Sequence, residues 1–259
     1  VTARLDDLDA VVFDMDGVVT ETAVVHAASW KRLFDEYLQA RAERTGEPFE
    51  PFDEQADYQR YVDGRNRYDG VRTFLASRGI ELPWGDPGDD ADRETVCGLG
   101  NRKDGYFKAH LREQGARAYE STVDLVRRLR ARGVRVGIVT SSRNAEEVLG
   151  AAGVRELFDE KVDGVDAAEL QLAGKPDPAT FVEVAHRLGV EPGRAAVVED
   201  ALAGVEAGRR GGFALVVGVD RTGQGDALRE AGAHVVVTDL AELDGAESQA
   251  PQPSPNATT

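Results

Sequence analysis

Short apolar runs rich in Val recur along the chain, separated by segments of helical periodicity. Val11-Val12-Phe13 comes first, then Val134-Arg135-Val136-Gly137-Ile138-Val139 and Ala195-Ala196-Val197-Val198, followed by Ala214-Leu215-Val216-Val217 and Val235-Val236-Val237. Runs with apolar residues on both faces predict strands buried on both sides of a parallel sheet. Amphipathic stretches at 122–132, 145–152, 178–188 and 203–210 lie between them. This alternation predicts an α/β fold with a doubly wound, Rossmann-like parallel sheet. Gly133, Gly153, Gly189 and Gly211 follow those helical patterns where a left-handed closing residue is expected.

One interval breaks the rhythm. About 120 residues separate the first two strands, far more than the dozen or so that a crossover requires. Residues 23–38, 71–78 and 93–113 are helical in pattern, with a polar, Pro-containing passage at 44–57 and a turn-rich one at 83–90. The simplest organisation is a core of residues 1–20 and 118–244, an inserted helical domain of 21–117, and a disordered Pro/Ala/Ser/Gln tail of 245–259.

Composition narrows the function classes. Of 259 residues, 41% are hydrophobic and 30% charged, enough for a packed core. The formal net charge of −16 repels nucleic acid and anionic lipid, so neither is an expected partner. No apolar run approaches the length of a membrane span, and the first residues lack the pattern of a secretory signal. A single cysteine, Cys97, fits a reducing, cytoplasmic setting. With four histidines beside it, soft ligands are too few for structural zinc, so any metal is expected to sit on oxygen. Nothing in the sequence requires more than a monomer.

The strongest chemical signal is Asp14-Met15-Asp16-Gly17, ending the first strand. Residues two apart in an extended chain point the same way, which brings both carboxylates to the ligand-binding edge of the sheet. Such a pair calls for a cation or a shared proton, and Mg2+ is the economical choice. Three later sites fall at strand ends or loops: Thr140-Ser141-Ser142, Lys175 within Gly174-Lys175-Pro176-Asp177-Pro178, and Glu199-Asp200. Singly, each has an ordinary explanation as a helix cap, a solvated lysine or an acidic helix start. Together they supply an acidic nucleophile, hydroxyl donors, a cation and metal-binding carboxylates.

In that order the motifs resemble those of the haloacid dehalogenase-like phosphotransferase superfamily, and the helical insertion then resembles its cap domain. The resemblance implies Asp14 as the nucleophile forming an aspartyl phosphate, and Asp16 as general acid and base. It implies Thr140 and Lys175 as phosphoryl-binding groups, and Mg2+ held by Asp14, the carbonyl of Asp16 and Asp200, with Glu199 beside it. Within the superfamily, the run from Asp14 through Thr20, Thr22, His26, Trp30 and Lys31 is similar to the β-phosphoglucomutase family. That similarity implies Arg67 as a grip on the distal phosphate and Lys103, with His26, as a gate on Asp16. Ser141, Ser142, Arg143 and Asn144 are implied as further substrate contacts, while Trp30 is also a natural core residue of the insertion. Lys103 is followed by Asp104, where the family commonly has Asn. The implied substrate is a small sugar phosphate, and the implied reaction is interconversion of β-glucose 1-phosphate and glucose 6-phosphate through a bisphosphate. A sugar-phosphate phosphatase on the same nucleophile is the alternative.

Overall fold

The computed structural model describes residues 4–243; residue 244 and the tail expected at 245–259 lie outside the described residues. Six strands form one parallel sheet: β1 Ala10–Asp14, β2 Arg135–Val139, β3 Glu160–Val162, β4 Ala195–Glu199, β5 Leu215–Val219 and β6 Val235–Val237. Their order is β3-β2-β1-β4-β5-β6, with β1 in the middle between β2 and β4. The reversal of winding at β1 opens a crevice at the carboxyl ends of β1, β2 and β4, where open α/β sheets bind ligands. The apolar runs fold as expected because every residue of β1, β4 and β5 is buried. Val11 and Phe13 face one core layer, whereas Ala10 and Val12 face the other.

Nine α-helices occur among the described residues: α1 Ala23–Thr45, α2 Arg67–Ser77, α3 Val96–Gln114, α4 Glu120–Ala131, α5 Ala145–Ala151, α6 Gly164–Glu169, α7 Ala179–Arg187, α8 Leu202–Arg210 and α9 Gly225–Ala231. The long interval is therefore helical, with α1, α2, α3 and a π-helical turn at Tyr58–Val62. Its core is separate from the sheet and rich in aromatics, built on Trp30, Phe34, Phe52, Phe74 and Leu99. The chain enters and leaves this insertion side by side. Glu21 N donates to Arg117 O at 2.9 Å, and Tyr119 N donates to Val19 O at 3.0 Å.

Several expectations need correction. α1 runs seven residues past 38, because residues 39–45 lack an apolar stripe yet are mostly strong helix formers. α2 begins at Arg67 rather than 71, since Asn66 accepts from Asp69 N at 3.0 Å and caps it there. α3 begins at Val96 rather than 93, capped by Thr95. Gly211 does not close α8 in the left-handed region; its φ is −72° and the positive φ falls on Gly212 at 72°. β3, α6 and α9 are elements that the pattern does not predict: β3 is Glu160-Lys161-Val162 with a single apolar residue, and α6 and α9 bury none and one of their residues, so none presents an apolar face to read.

Candidate active site

Asp14 is the last residue of β1, Glu199 the last of β4, and Thr140 follows β2 directly. Strand pairing thus delivers all three to one edge. Lys175 comes from the loop between α6 and α7 and is only 5% exposed. Its ammonium donates to Asp14 Oδ1 and, at 2.7 Å, to Glu199 Oε2. Burial works against that charge, but Asp14 and Glu199 raise the Lys175 pKa above its ordinary value. Burial, followed by repulsion from Glu199, raises Asp14 well above the usual carboxylate range despite Lys175. Asp200 is raised likewise by burial and by Asp63, Glu199 and Asp14.

Oxygens of Asp14, Glu199 and Asp200 lie within 4.8 Å of one another. Three hard donors that repel each other when ionised fit a divalent cation of the Mg2+ or Ca2+ type. Gly17 leaves room for this cluster. A Cβ there would stand 1.9 Å from Asp200 Oδ2, and its φ of +89° disfavours a side chain on its own account. The Asp16 carboxylate lies outside that trio and turns elsewhere.

Asp16 Oδ1 accepts from Thr22 Oγ1, and Oδ2 accepts from Thr140 Oγ1 at 3.2 Å. His26 Nε2 stands 3.3 Å from Oδ1. Burial favours the neutral acid, yet His26, Thr22 and Thr140 together hold its pKa down to about 2. Behind it, the His26 ring stacks on Phe107 at 4.1 Å, and Nδ1 lies 2.5 Å from Lys103 Nζ. Lys103 is buried beside the rings of Trp30 and Phe107. Burial lowers its pKa to about 7, against the pull of Asp104 and Asp16. Burial and Lys103 also lower His26. His26 Nε2 is buried without a hydrogen-bond partner although it stands 3.3 Å from Asp16, while Nδ1 is engaged by Lys103.

The insertion supplies the facing wall. Arg67 Nη1 pairs with Asp104 Oδ2 at 2.9 Å, and Asn144 Nδ2 from the core side donates to Asp104 Oδ1 at 2.7 Å. Ser141 Oγ donates to Gly64 O at 2.8 Å, a second link between sheet edge and insertion. Ser142 N donates to Thr140 Oγ1 at 3.0 Å, and Ser142 Oγ accepts from Asn144 N at 3.2 Å. These loop bonds hold Thr140 toward Asp16. The cavity between the two walls has a volume of about 390 Å3, and all fourteen residues singled out from the sequence line it. Trp30 does so while largely buried against Phe34 in the aromatic core.

Sequence reasoning missed Asp63 and Tyr58, which line the same cavity. Asp63 is raised to about 7 by burial and by Glu199. The signal was present in Asp63-Gly64-Arg65-Asn66-Arg67, where an acid precedes a Gly with φ of +68°. Its proximity to β4 was not readable, because 136 positions separate Asp63 from Glu199.

Comparison with known proteins agrees with this geometry. Residues 8–212 match the family model of haloacid dehalogenase-like hydrolases. A β-phosphoglucomutase of Mycobacterium bovis is 52% identical over 237 residues, covering 90% of each chain. The fold superposes with a TM-score of 0.72 on a β-phosphoglucomutase of Clostridium difficile that is 23% identical, covering 91% of this chain and 93% of that one. It also superposes, with a TM-score of 0.63, on a 28% identical hydrolase of Deinococcus radiodurans solved with bound phosphate and sodium, covering 94% and 96%. The chain therefore belongs to the haloacid dehalogenase-like hydrolase family, in its β-phosphoglucomutase branch.

Proposed function

We propose that the protein is a β-phosphoglucomutase, moving a phosphoryl group between positions 1 and 6 of glucose through an aspartyl phosphate on Asp14. The observation that carries this reading is one cavity with basic groups on both walls. Lys175 stands beside Asp14 on the sheet edge, while Arg67 faces it from the insertion, which serves as a cap. A bisphosphate carries roughly four negative charges and needs such groups at both ends, whereas a monoester phosphatase needs only the first.

Mg2+ is the proposed cofactor, held by Asp14, the carbonyl of Asp16 and Asp200, with Glu199 beside them; it supplies charge neutralisation at the transferring phosphoryl. Asp14 attacks phosphorus with the carboxylate oxygen that Lys175 holds in place. Lys175 then offsets charge on the phosphoryl oxygens, and Thr140 turns its single hydroxyl hydrogen from Asp16 to them. Asp16, with a pKa of about 2, stands ready as a base. It takes the proton of the 6-hydroxyl as that oxygen accepts the phosphoryl from Asp14. After the bisphosphate turns over, Asp14 accepts the phosphoryl from position 1, and Asp16 returns the same proton to the departing oxygen. Proton and phosphoryl both close the cycle. Ser141, Ser142, Arg143 and Asn144 complete the wall that orients the sugar phosphate, and Trp30 backs Lys103. Exclusion of water by the closed cap separates this cycle from hydrolysis.

Two substitutions test the assignment. Asp14→Asn should abolish both turnover and acid-quenched phosphoenzyme after priming with glucose 1,6-bisphosphate; retained turnover would remove Asp14 as nucleophile. Arg67→Ala should raise KM for the sugar phosphate about tenfold or more with a smaller change in kcat. An unchanged KM would mean that the distal phosphate is held elsewhere.

A further inference from the structure

The cap wall carries an anion that the reaction itself does not use. Asp104 Oδ2 contacts Arg67 Nη1 at 2.9 Å and Lys108 Nζ at 3.1 Å, while Oδ1 accepts from Asn144 at 2.7 Å. The Asp104 side chain is 16% exposed. Burial disfavours its charge, but Arg67 first, then Asn144 and Lys108, keep its pKa below the ordinary value. Arg67 Nη2 donates to Tyr68 Oη at 3.2 Å, and the guanidinium lies over that ring. Its Nε–H is buried with no partner. Thus Arg67 faces the cavity with its charge already matched by an internal carboxylate and with one donor unused. An incoming phosphoryl dianion competes with Asp104 for the same cation.

We propose that Asp104 is a specificity-determining residue: an internal counter-anion that occupies Arg67 when no distal phosphate is bound and must yield to the substrate's second anionic end. Only a ligand presenting a strong anion at that position displaces it, so neutral sugars are disfavoured. The displaced carboxylate also lies next to the bound dianion and weakens its hold. Asn144 belongs to the sheet edge, so the Asp104–Asn144 bond ties closure of the ligand-free cap to the ion pair. The inference rests on the reading of the cavity as a sugar-phosphate site, but not on mutase rather than phosphatase chemistry.

The test is calorimetric binding of glucose 6-phosphate to the full chain in excess Mg2+, with Asp14→Asn in every variant to stop turnover. Asp104→Asn keeps the shape and the acceptor for Asn144 while removing the charge. It should tighten Kd about twofold to fivefold, the scale of a partly screened ion pair. In a double-mutant cycle with Arg67→Ala the gain should vanish, because the competition is for that guanidinium. With Asp14 intact, Asp104→Asn should lower KM without raising kcat. A Kd unchanged or weakened by Asp104→Asn would overturn the proposal, as would a gain that persists without Arg67, which would mark a general field effect. If glucose 6-phosphate bound to none of the variants, the substrate reading would fall and this inference with it. Binding that is unaffected by Asp104→Asn sinks the inference alone.

Discussion

At the level of single residues, the site is a set of charges whose burial sets their protonation. Asp16 is kept ionised by its hydroxyl and imidazole neighbours, whereas Lys103 is driven toward neutrality by its burial. Lys103 therefore links stability to pH. Its folded pKa of about 7 lies below the value of an unfolded lysine. Between those two values the unfolded chain binds a proton that the folded chain does not, so stability rises with pH across that window and is lost as pH falls toward 7. Urea unfolding of wild type and Lys103→Met should show the difference shifting by about 2 kcal/mol in favour of wild type between pH 7 and 9. A difference independent of pH would mean that Lys103 is charged throughout. Asp14 was legible in the sequence because an acid ending a buried strand must sit at the sheet edge. Asp16 lies beyond the end of β1, and its carboxylate turns to Thr22, Thr140 and His26 instead of joining Asp14 at a cation, which spacing alone did not show. The burial of Lys103 was not legible either, since its partner His26 is 77 positions away and a helical lysine ordinarily points to solvent.

At the level of elements, the fold places chemistry at strand ends and leaves tight turns to arrange it. β1, β2 and β4 were readable because they are buried on both faces. The edge strand β3 and the polar half of α1 were not, since neither carries enough apolar residues to show a period. The turn after β1 offers a sharp test. Gly17→Ala would set a methyl group against Asp200 in a backbone conformation that resists it. Backbone strain alone should cost about 1–2 kcal/mol of stability. Displacement of Asp200 should in addition weaken Mg2+ affinity and lower kcat by about a hundredfold or more, the scale of lost electrostatic stabilisation at a reacting phosphoryl. Calorimetric Mg2+ titration beside steady-state kinetics checks this; full Mg2+ affinity in the variant would show that Asp200 is not a ligand.

The whole molecule joins two cores, one on the sheet and one in the helical insertion, with a cavity where they meet. No helix among the described residues is long and apolar enough to cross a membrane. A chain of net charge −16 binds an anionic substrate only by concentrating cations locally, and the acid cluster beside Lys175 must itself be neutralised. Saturating Mg2+ should therefore raise Tm by roughly 5 °C or more, and Asp200→Ala should abolish that rise in a thermal melt. No rise in wild type would remove the metal from the cluster. The central claim is that the cap keeps the phosphoryl group from water long enough to return it to sugar. Phosphorus NMR of the protein with Mg2+, β-glucose 1-phosphate and a trace of glucose 1,6-bisphosphate measures that partition directly. Conversion to glucose 6-phosphate with negligible inorganic phosphate is the expected result; stoichiometric inorganic phosphate without glucose 6-phosphate would contradict it.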